Sequence, residues 1–138
     1  MADNLTGAIE QIGADIRALR YDSGLRDLRS IVRADLGWDT SREVLAVTVE
    51  RQGSAVEVSI SNLARTDGTG EGWVQVLRLD LGFRPSANVY IRDFLAQRAR
   101  ITTAGFLEIQ NPSPALNYFT FNFLTRQSPP ATPPGDPA

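Results

Sequence analysis

The residues with the clearest capacity for chemistry in this sequence are two groups of carboxylates. Histidine, cysteine and lysine are all absent, and the 14 basic residues are all arginine. These absences exclude a thiol nucleophile, Schiff-base chemistry, a cysteine-ligated metal and the phosphate-binding loop that ends in lysine. The remaining enzymatic chemistry is that of paired carboxylates, as in glycoside hydrolysis. The two groups with suitable spacing are Asp35, Asp39 and Glu43, and Asp67 and Glu71.

Both groups have a simpler explanation as turn residues. The second lies in a glycine-rich segment, residues 66–72, which is typical of a solvated loop. The first flanks Gly37 and Trp38, a pattern that indicates a turn with an anchoring aromatic residue. We therefore predict that the protein is not an enzyme and holds no cofactor or metal.

Binding chemistry is better supported by the aromatic and arginine residues. An aromatic ring can stack on the apolar C–H surface of a sugar, and a guanidinium group can contact an anionic polymer. The alternatives are that the rings fill the core or a subunit interface, and that the arginines are solvated or salt-bridged. The preferred ligand-binding candidates are Trp73, Tyr90, Arg65 and Arg84, with Trp38 and Tyr118 as further aromatic platforms.

Charge and hydropathy exclude two kinds of partner. The formal net charge is -2, and no three basic residues are consecutive, so we expect no nucleic-acid binding. No run approaches the ~20 apolar residues that cross a bilayer, and the first residues lack the charge and apolar pattern of a signal peptide. We expect no membrane insertion.

The stretch from residue 4 to residue 20 predicts a helix with one narrow apolar stripe. Its apolar residues are spaced by four, three, four and three positions, the a/d pattern of a coiled coil. With Ile at a, Leu at d favours dimers and Ile at d favours trimers, so the pattern alone leaves the number of chains open. The alternative is a helix that packs on its own chain's sheet. The predicted oligomerisation residues, in a helical segment 1–21, are Leu5, Ile9, Ile12, Ile16 and Leu19.

The rest of the chain predicts β structure, because the apolar period changes to two. The number of short strands is typical of an antiparallel β-sandwich or jelly-roll-like head, which we place at residues 22–127. The proline-rich segment 128–138 predicts a flexible tail, disordered or extended, that cannot join a sheet. The predicted strands are 43–51 paired with 55–61 as a hairpin, 73–80, 88–92, 99–103 paired with 106–110 as a hairpin, and 116–125.

Four short segments, in this order, resemble the head domains of bacteriophage tail-fibre and minor tail proteins. They are residues 22–28 (DSGLRDL), 49–56 (VERQGSAV), 82–86 (GFRPS) and 101–107 (ITTAGFL). The resemblance implies a β-sandwich head that trimerises about a fibre axis, behind a short coiled coil.

The resemblance also implies a function. We expect a structural virion protein, a small homotrimeric tail-fibre or minor tail protein, made in the host cytoplasm and carried on the particle. Its partners would be its own copies, other virion proteins and a host cell-surface glycan, contacted by loops 66–72 or 111–115. The first alternative is a capsid decoration or head-fibre protein, anchored on the capsid by the helix, with the tail projecting outward. The second is a non-viral binding module.

Overall fold

The computed structural model describes residues 2–93 and 97–138. One helix, α1 (Ala2–Arg20), precedes a head made of short antiparallel strands, and two 3-10 turns follow the first strand. The fold is therefore mainly β, as predicted. The strands are β1 (Arg26–Asp27), β2 (Ala46–Gln52), β3 (Ala55–Leu63), β4 (Trp73–Arg78), β5 (Val89–Arg92), β6 (Arg98–Ile101), β7 (Phe106–Gln110), β8 (Asn117–Leu124) and β9 (Asp136–Pro137).

The strands form two sheets that stack face to face. The five-stranded sheet has the order β8-β3-β2-β1-β9, and the four-stranded sheet has the order β4-β7-β6-β5. Strands β5, β6 and β7 form a meander, and β4 lies beside β7, which makes the four-stranded sheet a Greek key.

The core lies between the two sheets and belongs to the head alone. Alternate residues of each strand point inward, so the period of two in the sequence becomes two apolar inner faces. Trp38 anchors one side of this core, and its Nε1 donates a hydrogen bond to Gln75 O at 2.7 Å. The described residues of α1 contribute no side chain to the core. The core includes Val47, Val49, Val58, Ile60, Val76, Leu77, Ile101, Leu107, Ile109, Phe119 and Phe121.

Both predicted hairpins are confirmed, but the prediction for the tail is partly wrong. Most of segment 128–138 is irregular, with bends at residues 131–132 and 134–135. However, its end pairs with β1 as strand β9, which we expected to be impossible. Arg26 holds it there, because its Nε and Nη2 donate to Pro134 O at 2.9 Å and Gly135 O at 3.0 Å. Pro134 is buried as a result.

The four segments that resemble phage proteins meet at one end of the head, beside the end of α1. Arg51 lies at the centre of this end and is 1 % exposed. Its Nε donates to Gly53 O at 2.7 Å, and its Nη1 donates to Gly82 O. Ser23 Oγ accepts a hydrogen bond from Arg51 N at 2.9 Å. We call this end, marked by Tyr21, Gly53, Gly82 and Gly105, the helix pole.

The opposite end of the head is formed by loops. Gly70 N donates to Pro112 O at 2.9 Å, and Asn111 N donates to Gly72 O at 2.7 Å. Segments 66–72 and 111–116 are therefore adjacent, and we call this end the loop pole. Among the described residues, no helix has the length and apolarity needed to cross a membrane.

Candidate functional site

The predicted apolar stripe on α1 is open to solvent in the single chain. Its five residues, named above, are between 43 and 71 % exposed. The helix therefore does not pack its stripe on its own chain's sheet, and that alternative is wrong. An apolar stripe of this length is unfavourable in water unless another chain covers it.

The stripe is continuous with one face of the head. Leu19, the last residue of the stripe, borders a shallow surface cavity of about 630 Å³ together with Ala55 and Leu124. Leu124 is 66 % exposed at the end of β8. Away from this corner, the outer face of the five-stranded sheet carries mainly small side chains, which let a neighbouring chain approach closely. These outward-pointing small residues are Ala46, Thr48, Ser59, Ser61 and Thr120.

A second surface lies on the other side of the sandwich. Trp73 and Tyr90 meet edge to face there, with ring centroids 6.4 Å apart and an interplanar angle of 69°. Neither ring belongs to the core, and Tyr90 is 60 % exposed. The structure thus brings together two of the predicted ligand-binding residues on an accessible face, and their role in ligand binding stays a prediction.

Arginines surround this aromatic pair. The Arg100 guanidinium lies 4.1 Å from the centre of the Trp73 ring, close enough for a cation–π contact, and its Nε donates to Glu108 Oε1 at 2.9 Å. Arg92 and Arg98 are exposed and directly opposite each other on β5 and β6. We call Trp73, Tyr90, Arg92, Arg98 and Arg100 the aromatic–arginine face.

The other two predicted ligand residues are not part of this face. Arg65 lies over the Trp38 ring at 4.8 Å, and its Nε donates to Gly68 O at 2.7 Å, so it supports the loop after β3. Arg84 lies at the helix pole, where its Nε donates to Leu79 O at 2.8 Å. Both arginines thus donate to backbone carbonyls of their own chain, and their role in ligand binding stays a prediction.

Two further aromatic candidates differ in accessibility. Trp38 is buried in the core, so it cannot serve as a platform for a ligand. Tyr118 is on the outer face of the five-stranded sheet, and its hydroxyl donates to Asn62 Oδ1 at 2.6 Å.

Asp35 and Asp39, two of the carboxylates considered above, each bind a residue two positions away in the chain. Asp35 forms a salt bridge with Arg33 at 2.6 Å, and this hydrogen bond lowers the pKa of Asp35. Hydrogen bonds from the side chain and backbone of Ser41 lower the pKa of Asp39. A general acid needs a raised pKa, so neither carboxylate suits that role. In residues 2–93 and 97–138, no group of three or more potential metal ligands is placed to hold an ion.

Sequence reasoning missed three members of the aromatic–arginine face. The alternation of Arg98 and Arg100 with the buried residues Ala99 and Ile101 places both arginines on the outer face of β6. That signal was present in the sequence. Their proximity to Trp73 depends on the order of the strands, which the sequence does not specify.

Comparison with protein-family models, with curated proteins and with solved structures finds no match to this chain.

Proposed function

We propose that this protein is a homotrimeric structural component of a bacteriophage virion, a small tail-fibre or minor tail protein whose heads bind a host surface polymer. The exposed stripe on α1 carries this proposal. The stripe residues follow a strict a/d spacing, and none of them belongs to the core of the head. The order of the four motif segments supports the phage assignment.

The energetics favour association through both the helix and the head. Burial of each aliphatic side chain of the stripe stabilises the assembly by roughly 1.5–3 kcal/mol. A helix of two heptads is marginal alone, because helix ordering and association oppose that gain. Leu124 and Ala55 border the same surface cavity as Leu19 and would extend the contact onto the five-stranded sheet. Because the a and d residues leave the number of chains open, the choice of three chains rests on the motif resemblance.

The alternative, a capsid decoration protein, has less support from the head. In that alternative, the proline-rich tail projects outward from the capsid. Ala138 N donates to Leu25 O at 3.1 Å, and the tail returns along β1 toward the helix pole. We therefore prefer the tail-associated role.

Light scattering of the full chain at several concentrations tests the association. We expect a mass near three times 15.1 kDa that persists on dilution. Ile12→Asp places a charge in the stripe and should produce a monomer, because an unpaired charge in an apolar seam is strongly unfavourable. Gln11→Asp adds the same charge outside the a and d positions and should leave the mass unchanged. A monomeric wild-type chain would refute the self-association, and an Ile12→Asp variant with unchanged mass would refute the role of the stripe in it.

The place of the protein in the particle needs a separate experiment. Immunogold labelling of phage particles that encode this chain should mark the tail. Labelling of the capsid would favour decoration instead, and particles without any label would contradict the virion assignment.

A further inference from the structure

We propose that the aromatic–arginine face is a glycan-binding site, specific for a segment that carries negative charge as carboxylates or phosphate diesters. This inference deepens the proposed host-binding function and rests on it for the biological source of the ligand. The site itself lies within one chain.

The charge of this face is unbalanced. The outward-pointing residues of the four strands include Arg78, Arg92, Arg98 and Arg100, whereas Glu108 is the one carboxylate among them. Asp93, just beyond β5, turns its Oδ1 toward Gln97 N at 2.9 Å. The chain as a whole has a net charge of -2, so this concentration of positive charge is local. A local positive field of this kind attracts an anionic ligand.

Arg92 and Arg98 have no carboxylate partner in a salt bridge among the described residues. Glu108 binds Arg100 instead. Like charges directly opposite each other on neighbouring strands destabilise a sheet. An anionic group placed between the two guanidinium groups would remove that repulsion and accept charge-assisted hydrogen bonds from both.

The aromatic pair provides the surface for the sugar ring. The Arg100 guanidinium, held by Glu108, packs on the Trp73 indole. The Trp73 and Tyr90 rings then meet edge to face. The Tyr90 ring is left exposed beside a cavity of about 350 Å³ that is lined by Tyr90, Ile91, Arg92 and Arg98. This volume is at the lower end of the range for small-ligand sites, which suits a short segment of a polymer.

The arrangement fits a glycan better than a single-stranded nucleic acid. Nucleic-acid sites combine a long basic groove with several rings on which successive bases stack. Among the described residues, the exposed part of the site has a single ring, Tyr90, beside two arginines. One stacking ring with a charged clamp matches one sugar and its anionic substituent.

Self-association leaves this face open. Leu19, at the end of the stripe, lies against the five-stranded sheet, whereas the aromatic–arginine face is the outer surface of the four-stranded sheet. The two sheets stack face to face around the core, so their outer surfaces are on opposite sides of the head.

Calorimetric titration of the full chain with short oligomers tests the site. Trigalacturonate presents carboxylates, and a short oligo(glycerol phosphate) presents phosphate diesters. We expect one or both to bind, with an affinity that falls as salt increases. Binding of only one identifies the anionic group. A neutral isomaltotriose of similar length should not bind, and a thymidine oligonucleotide should bind more weakly than the preferred oligomer.

Matched variants locate the binding. The Arg92→Gln/Arg98→Gln protein should lose about tenfold or more in affinity, the size of one charge-assisted hydrogen bond. Tyr90→Ala should show a loss of similar size. The control Arg17→Gln/Arg42→Gln removes the same charge from exposed positions elsewhere and should change the affinity by less than about twofold.

Three outcomes would overturn the proposal: no binding of either anionic oligomer, equal binding of the neutral one, or equal loss in both double variants. Light scattering on the same samples separates this failure from failure of the proposed trimer. A trimer without oligomer binding refutes the site alone, whereas a monomer that binds the oligomer retains the site and refutes the assembly.

Discussion

Arg51 illustrates how single residues of the motif segments act within the fold. A buried guanidinium group usually has a carboxylate partner, because desolvation of an unpaired charge is costly. Burial lowers the pKa of Arg51, and its donors bind the carbonyl oxygens of Gly53 and Gly82. Gly82 N in turn donates to Gln127 Oε1 at 2.7 Å. Such motif residues therefore join the segments of the helix pole, which is a role in the construction of the head.

Tyr21, beside Arg51, gives a prediction about pH. Its hydroxyl is buried without a hydrogen-bond partner among the described residues, and burial raises its pKa above the ordinary 10.0, against the opposing charge of Arg51. A raised pKa means that the folded state holds the proton more tightly than the unfolded state. The associated stability is complete below pH 10 and is lost as the pH rises through the folded-state value.

Tyr21→Phe should therefore keep wild-type stability at pH 7, within about 1 kcal/mol, because it removes an unsatisfied hydroxyl. Above pH 10 it should lose less stability than the wild type. Urea unfolding at pH 7 to 11 measures both effects, with Tyr90→Phe as an exposed control. Parallel pH profiles for the wild type and Tyr21→Phe would contradict this prediction.

At the residue scale, the sequence identified candidate side chains by their chemistry but did not give their positions in the head. Trp73 and Tyr90 were selected because aromatic rings suit sugars, and they do lie together. Arg65 and Arg84 were selected on charge alone, but each turns its donors to nearby backbone carbonyls. The difference depends on loop geometry, which a side-chain type does not reveal.

At the scale of elements, strong local patterns predicted both hairpins, whereas the pairing of the two-residue strands β1 and β9 was not predicted. The hairpin of β2 and β3 follows from alternation around Gly53, where the backbone φ is 58°. Strands β1 and β9 have two residues each and join parts of the chain more than 100 residues apart. So short a pairing has no periodicity to detect, and prolines in the tail argued against it.

Gly135 tests whether the tail is held as the structure shows. Its φ is 62°, and an added Cβ would meet the backbone oxygen of Asp27. Gly68 has a φ of 76° with open space around it. Gly68→Ala should cost about 1 kcal/mol for the left-handed backbone, and Gly135→Ala about 2–3 kcal/mol because the contact is added.

Urea unfolding of the two variants measures the difference between them, and limited proteolysis of the tail provides a second measurement. Gly135→Ala should release the tail to the protease earlier than Gly68→Ala does. Equal losses of stability with equal proteolysis would mean that the tail does not dock on β1.

At the scale of the whole molecule, the stripe and the aromatic–arginine face predict multivalent binding. In the proposed trimer, three binding sites belong to one assembly. After the first site binds a polymer, the second and third contacts with that polymer become intramolecular. Ile12→Asp, as a monomer, should bind trigalacturonate like the wild type but should bind immobilised polygalacturonate at least about 100-fold more weakly. Biosensor measurements on both ligands test this, and equal binding to the polymer would contradict it.

The whole-molecule arrangement was the least predictable from the sequence. The heptad spacing indicated that α1 has an interaction surface, and the open stripe agrees with it. The opposition of the stripe and the aromatic–arginine face follows from the stacking of two sheets. That stacking is set by contacts between distant strands and has no local sequence signal.

The return of the tail has a consequence for the connectivity of the head. Ala138 N donates to Leu25 O at 3.1 Å, so residue 138 lies beside the residues at which the head begins. A short linker from residue 138 to residue 25 would make the backbone of the head circular. A new break at the loop pole, within residues 66–72, would then give the head new ends. Circular permutation of this kind succeeds when the joined positions are adjacent and the new ends lie in an exposed loop. With the helix attached to the new first residue of the head, it would lie at the loop pole, and no strand would be altered.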